Sequence, residues 1–253
     1  MRSLVALTAL LTLLTVGAGT ADAQRARKGK QISHKAEGTR GRGARGVAVR
    51  EAGRSQSVGL PWAGHLENGV QLRMGDSVFI RRPYRAWGTR TTVDYVKRVI
   101  TETVELYPRL HVLSIGDISA ENGGQVSDHH SHQSGRDIDI GLYYNKQPAG
   151  YPSSFINANE SNLNAKAMWT MISKLAATSE KDGGVKVIFL DFEVQGIIYR
   201  WAQNHGVSEQ KLERIFQYAH GAGSNEGLVR HYRNHQHHIH VRFNCAKADR
   251  SCS

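Results

Sequence analysis

Eight of the 13 histidines fall in two short windows: His129, His130 and His132, then His231, His235, His237, His238 and His240. Neutral imidazole is the commonest metal ligand and a ready proton carrier near neutral pH, so the windows point to metal binding, proton transfer or both. Read as strands, each window sorts its residues onto two faces. His238, His240 and Arg242 share one face, while Ile239, Val241 and Phe243 share the other. Asp137 and Asp139 likewise share a face, with Ile138 and Ile140 opposite. His132 stands just upstream, across Gln133-Ser134-Gly135, where glycine permits a bend. Two such strands side by side bring His132, Asp139 and His240 together. Two imidazoles and one carboxylate are good Zn²⁺ ligands and leave a fourth position for water, the pattern of a catalytic site. Zinc lowers the pKa of its water to about 7 and polarises a carbonyl, which is the chemistry of hydrolysis. His238, beside His240 on the same face, is placed to take the water's proton, and His235 is an alternative base. Histidine clusters also arise by chance on surfaces or as metal-scavenging tracts. Alternation in both windows favours a site.

The remaining chain must position these groups. Val93, Val96, Ile100, Val104 and Tyr107 recur at helical spacing and predict a helix over Thr91 to Tyr107, ended by Pro108. Leu110 to Gly116 reads as a buried strand, Ile118 to Ser134 as a polar loop, and Arg136 to Tyr143 as a strand. A helix over Leu163 to Ala177, a strand over Val185 to Leu190 and a helix from Asp191 through Ala202 follow. A helix over Ser208 to Ala219 and a strand over His237 to Phe243 complete the chain. Helices and strands mix without a βαβ rhythm or a glycine fingerprint, so an α+β fold is expected.

Composition removes several function classes. Five prolines exclude a collagen-like or proline-rich architecture. Two cysteines exclude a disulfide-dense scaffold and a cysteine-built zinc ribbon. Residues 24–56 hold ten Lys/Arg against two Glu, so +8 of the +11 net charge sits there. That segment is Gly- and Arg-rich, lacks large apolar residues, and is expected to be a disordered basic linker, either a solvated spacer or a loose adhesive for anionic polymer. A nucleic-acid partner rests on this charge alone and is not expected. Residues 1–23 read as a signal peptide. Arg2 supplies the positive start, Ser3 to Val16 the apolar run, and Ala21-Asp22-Ala23 the small-x-small cleavage site. The run is short for a span of about 20 residues, and no other stretch suits a transmembrane segment. Export makes a Cys245–Cys252 disulfide the expected state.

The segment Ser131-His132-Gln133-Ser134-Gly135-Arg136-Asp137-Ile138-Asp139-Ile140, with His238-Ile239-His240-Val241-Arg242, resembles the penicillin-insensitive murein endopeptidases, within the LAS group of zinc metallopeptidases. Gly116-Asp117-Ile118-Ser119, Gly123-Gly124, His129 three positions before His132, His235 three before His238, and the Cys245–Cys252 spacing add to the likeness. It covers residues 57–253. The resemblance implies one compact α+β domain, a central antiparallel sheet flanked by helices, with a zinc-binding cleft. It implies that His132, Asp139 and His240 bind one catalytic Zn²⁺, that His238 is the catalytic histidine, and that His129 and His235 support the oxyanion or the substrate. Some family descriptions count the position of His129 as a ligand. Asp137 would orient a ligand or cap a turn, and His130 and His231 would be bystanders. His237 stands where relatives often carry another residue. No Asp/His pair near 155–165 matches a second, peripheral metal site. The implied substrate is peptidoglycan in the periplasm, cut at the D-alanyl–meso-diaminopimelyl cross-link. A carboxypeptidase trimming terminal D-Ala, with Arg136 or Arg242 as carboxylate anchor, and an inactive wall-binding module are the alternatives.

Overall fold

A computed structural model describes residues 53–253. The expected signal peptide and residues 24–52 of the expected linker lie outside the described residues, and the linker's last residue, Gln56, is instead the first of β1, paired with Glu67. The described part opens with a hairpin of β1 (Gln56–Leu60) and β2 (Ala63–Glu67), followed by short strands β3 (Val70–Gln71), β4 (Val78–Ile80) and β5 (Trp87–Gly88). Helix α1 (Arg90–Leu106) leads to β6 (Leu113–Ile115) and β7 (Asp137–Gly141). Helix α2 (Ala165–Ala176), β8 (Val185–Phe189), α3 (Phe192–Asn204), α4 (Glu209–Ile215), β9 (Val229–Arg230) and β10 (His238–Phe243) complete the fold.

Local chemistry sets the helix starts. The Thr89 hydroxyl accepts from the Thr92 N–H at α1, the Asn164 side chain accepts from the Ala167 N–H at α2, and Asp191 accepts from the Glu193 N–H at α3. Each helix then buries one stripe. Val93, Val96, Val99 and Ile100 from α1 join Met168, Met171 and Ile172 from α2 and Val194 and Ile198 from α3 in one apolar cluster. The same cluster takes Ile138, Ile140, Ile239 and Val241, the core-facing residues of β7 and β10.

Six strands form the main sheet in the order β4-β6-β7-β10-β8-β9. The inner pairings are antiparallel, as expected, but β4 pairs with β6 and β9 with β8 in parallel, so the sheet is mixed. The register sets His240 opposite Asp139 and Arg242 opposite Asp137. A slip of one residue would turn the histidines into the core and the isoleucines outward, so burial of Ile239 and Val241 fixes the site's geometry.

Two expectations need correction. The helix over Ser208 to Ala219 stops at Ile215, because Phe216 turns to an extended conformation, buries its ring and bridges to Val229, and only a 3-10 turn follows at Gln217–His220. Arg136 is no carboxylate anchor. It is 1% exposed, and its guanidinium donates to Ser57 Oγ and to the backbone oxygens of Phe243, Gly59 and Ser253. It thereby ties β1 to the end of β10 and to the tail that follows. The Cys245–Cys252 disulfide closes that tail. Among the described residues no helix is long and apolar enough to cross a membrane.

Candidate active site

The polar faces of β7 and β10 and the loop before β7 form the floor of a cleft of about 530 Å³. Asp139 lies at its centre. Its Oδ1 is 3.1 Å from His240 Nδ1, 3.4 Å from His132 Nε2 and 3.6 Å from His238 Nε2. His132 Nε2 and His240 Nδ1 are themselves 3.2 Å apart. His129 Nδ1 stands 3.9 Å from Asp139 Oδ2.

The loop positions its histidines through tertiary contacts. His132 adopts a left-handed backbone, with φ of 66°, which a β-carbon disfavours. Its ring Nδ1–H donates to the Ile118 carbonyl at 3.0 Å, leaving the Nε2 lone pair facing Asp139 and His240. The loop then re-enters β7 through Gly135, at φ of 72°, where a β-carbon would come within 2.8 Å of the Leu66 side chain. His129 is held at Nε2 by the buried Asp117, 3.0 Å away. Arg82 and Arg85 grip the same carboxylate at 3.0 and 3.1 Å. Burial opposes the charge on Asp117, but these partners hold its carboxyl below the usual range.

The strand residues are set by the ladder and by a second carboxylate. Asp137 accepts a bidentate pair from Arg242, both bonds 2.8 Å, and its Oδ2 lies 3.5 Å from His240 Nε2. Both expected roles fit this geometry: Asp137 faces the His240 ring, and its Oδ2 also accepts the His132 backbone N–H at 3.4 Å, which caps the turn before β7. Burial works against charge on Asp137 and Asp139, yet the surrounding imidazoles, and Arg242 at Asp137, keep both carboxyls well below the usual range. Burial opposes charge on His240 as well, but the two carboxylates outweigh it and raise the pKa to about 9. At His238 burial wins, and the pKa falls to about 3. Two histidines two positions apart on one face are thus driven in opposite directions. Burial also lowers His235 and His237.

The donor set suits a cation. Asp139 Oδ1 is buried without a well-aligned donor although three imidazole nitrogens surround it. A positive ion among them would satisfy the oxygen and the facing lone pairs together. His129, His132 and Asp139 could hold a metal ion, with ligand atoms within 4.8 Å of one another. The triangle of His132 Nε2, His240 Nδ1 and Asp139 Oδ1 is tighter, with edges of 3.1 to 3.4 Å. Ligand atoms tetrahedrally placed at about 2.1 Å from zinc are separated by roughly 3.4 Å, so this triangle is the better match.

The other flagged histidines divide. His235 and His237 line the cleft, with the His235 ring 4.6 Å and the His237 ring 4.7 Å from that of His238. His130 lines its edge. His231 is structural, since its Nδ1 accepts from the Phe192 N–H at the start of α3. Several cleft residues lie outside the histidine windows: Arg81, Arg82, Phe155 and Phe189. Phe155 stacks on the His238 ring at 4.9 Å and 10°. Its one visible clue is an aromatic ring in a Ser/Asn-rich loop.

A family model described as penicillin-insensitive murein endopeptidase matches residues 57–253. No curated protein matches the chain.

Proposed function

The chain belongs to the penicillin-insensitive murein endopeptidase family, and from that premise we propose that residues 57–253 form a zinc-dependent hydrolase that opens the D-alanyl–meso-diaminopimelyl cross-link of peptidoglycan. The observation that carries the reading is the buried, donor-poor Asp139 Oδ1 with imidazole nitrogens of His132, His240 and His238 within 3.6 Å.

His132 through Nε2, His240 through Nδ1 and Asp139 through Oδ1 would hold one zinc ion. When bound, zinc supplies an acidified water and a Lewis acid for the scissile carbonyl. His238 is neutral at physiological pH because burial strips its proton, so its Nε2 accepts a proton from the attacking water and returns it to the leaving amine. His129, fixed by Asp117, faces the same carboxylate from the loop side and supports the charge that develops on the carbonyl oxygen. His235, with its ring beside His238, packs the base from the other side and is the alternative proton acceptor. Asp137 and Arg242 hold the His240 ring from behind. No side chain forms an acyl intermediate in this scheme, which leaves a β-lactam nothing to trap. Export through residues 1–23 would bring this domain to its substrate in the periplasm, with the basic segment 24–55 as spacer or adhesive ahead of β1.

A carboxypeptidase is the second reading. The anchors expected for it are both engaged, Arg136 in the interior and Arg242 on Asp137. A digest of purified muropeptide dimer, with and without a chelator and read by mass spectrometry, tests the proposal. Chelator-sensitive conversion of dimer to two monomers is expected. Loss of only a terminal alanine would establish the carboxypeptidase, and an untouched dimer would leave a wall-binding module. His238→Ala should keep its zinc and lose about 10²- to 10⁴-fold in kcat, and an unchanged rate would shift the base to His235.

A further inference from the structure

Four arginines line the cleft: Arg81, Arg82, Arg233 and Arg242. Arg242 is spent on Asp137, and Arg82 on Asp117. Arg233 is exposed. Arg81 differs from all three. It follows β4 directly, and its N–H donates to the Ile115 carbonyl at 3.0 Å, which prolongs the β4–β6 pairing and fixes its backbone. Its Nε–H donates to the Ser153 carbonyl at 3.1 Å, and the guanidinium lies 4.5 Å over the Phe155 ring. Among the described residues, neither Nη has a protein acceptor and no carboxylate forms an ion pair with it. A guanidinium held at Nε and across one face, in the wall of a cleft and with both Nη atoms unpartnered, is a rigid fork for a planar anion.

Its place says which anion. Phe155 touches both groups, with Arg81 over its ring at 4.5 Å and the His238 ring stacked with it at 4.9 Å. A group held by Arg81 is therefore one aromatic ring removed from the histidine that handles the transferred proton. In a D-alanyl–meso-diaminopimelyl cross-link, the carbon bearing the scissile nitrogen also bears a free carboxylate. That carboxylate is the substrate's only fixed negative charge within two bonds of the leaving nitrogen.

We propose that Arg81 is the receptor for this leaving-side carboxylate, and that the Ser153–Phe155 loop holds its fork in place, which makes the cleft selective for cross-links whose diaminopimelyl carboxyl is free over those in which it is amidated. The inference rests on the murein endopeptidase reading and specifies one subsite within it. A neutral carboxamide keeps the shape but presents an N–H₂ to one arm of the fork, leaving a donor facing a donor.

The test uses two muropeptide dimers, identical except that the carboxyl beside the scissile nitrogen is free in one and amidated in the other. kcat/KM is measured for the wild type, Arg81→Gln, Arg81→Lys and Arg233→Gln. Binding of each dimer to the metal-free wild type and Arg81→Gln proteins, by calorimetry, gives a readout independent of turnover. The wild type should prefer the free acid by about 10- to 100-fold, the scale of a charge-assisted bidentate contact. Arg81→Gln should bring this ratio towards one in both rate and binding. Arg81→Lys should restore part of the preference, since it keeps the charge without the fork. A preference that survives in Arg81→Gln, or that disappears instead in Arg233→Gln, overturns the assignment while leaving the endopeptidase reading intact. A wild-type protein that cleaves neither dimer, with zinc bound, overturns that reading and the receptor with it. Thermal melting of each variant separates a lost contact from a lost fold.

Discussion

The loop from Ile118 to Arg136 and the strand β10 bring imidazoles to the same carboxylate, and they hold them by different means. His238 and His240 are carried on a strand paired on both sides, with β7 and β8, and pinned from beneath by Ile239 and Val241, both fully buried. Their placement follows from the backbone ladder, in which every second residue returns to the same face. His129 and His132 have no ladder. His132 sits in a left-handed conformation held by the Ile118 carbonyl at its ring and by Asp137 at its N–H, and His129 depends on Asp117, which depends on Arg82 and Arg85. Precision in the strand is a property of main-chain pairing. In the loop it is the sum of several side-chain contacts, and loss of any one should be felt.

The largest effects fall on the two proposed ligands. His240→Ala and His132→Ala should each abolish stoichiometric zinc and lower kcat/KM by at least about 10³-fold. Metal analysis after dialysis, with rates on the muropeptide dimer, checks both. Equal losses mean that loop and strand hold their ligands equally well. Zinc retained in His132→Ala but lost in His240→Ala would break that equality and bring His129, within reach of the same carboxylate, into the ligand set.

Supporting carboxylates separate metal binding from substrate handling. Asp137→Asn should weaken zinc affinity by about 10- to 100-fold, because it frees the ring of a strand ligand and strips Arg242 of its bidentate partner. Asp117→Asn should act on kcat at a similar scale and spare zinc, because the residue it releases is His129. Chelator competition read beside turnover distinguishes them. If Asp117→Asn loses zinc as readily as Asp137→Asn, His129 holds the metal and not only the substrate.

The same contrast explains what could be read from the sequence. The strand half was legible: alternation alone put Ile239, Val241 and Phe243 inside and His238, His240 and Arg242 in the cleft. The helices from Thr91, Leu163 and Asp191 were legible because each buries one long apolar stripe behind a capping side chain. The segment from Gln56 to Gly88 was opaque, since its five strands are two to five residues long and have no sustained alternation. Arg136 misled because a buried guanidinium satisfied by backbone oxygens leaves no mark in sequence that separates it from a ligand anchor. Arg81 and Phe155 escaped notice because they are 74 residues apart by number and adjacent only in space.

Protons provide the mildest test and locate the asymmetry in the strand. In the metal-free protein, burial disfavours a charge on His240, but Asp137 and Asp139 reverse this and raise its pKa from 6.5 to about 9. A folded pKa above the unfolded one means that His240 adds stability to the metal-free fold below about pH 6.5, and that this is lost as pH rises through 9. His238 has the opposite sign, its pKa lowered to about 3, so its neutral form costs stability only as pH falls below 6.5. Between pH 6.5 and 9, His240 is thus the one of this pair that titrates. A histidine must be neutral to ligate zinc, so binding in that window has to expel the His240 proton. Apparent zinc affinity should therefore rise about tenfold per pH unit across it and level off above, with close to one proton released per zinc in calorimetry run in buffers of different ionisation enthalpy. Asp137→Asn removes one of the two carboxylates that hold the proton, and should move the levelling to lower pH. An affinity independent of pH from 7 to 9 would show that no such proton is displaced, and would take His240 Nδ1 out of the proposed ligand set.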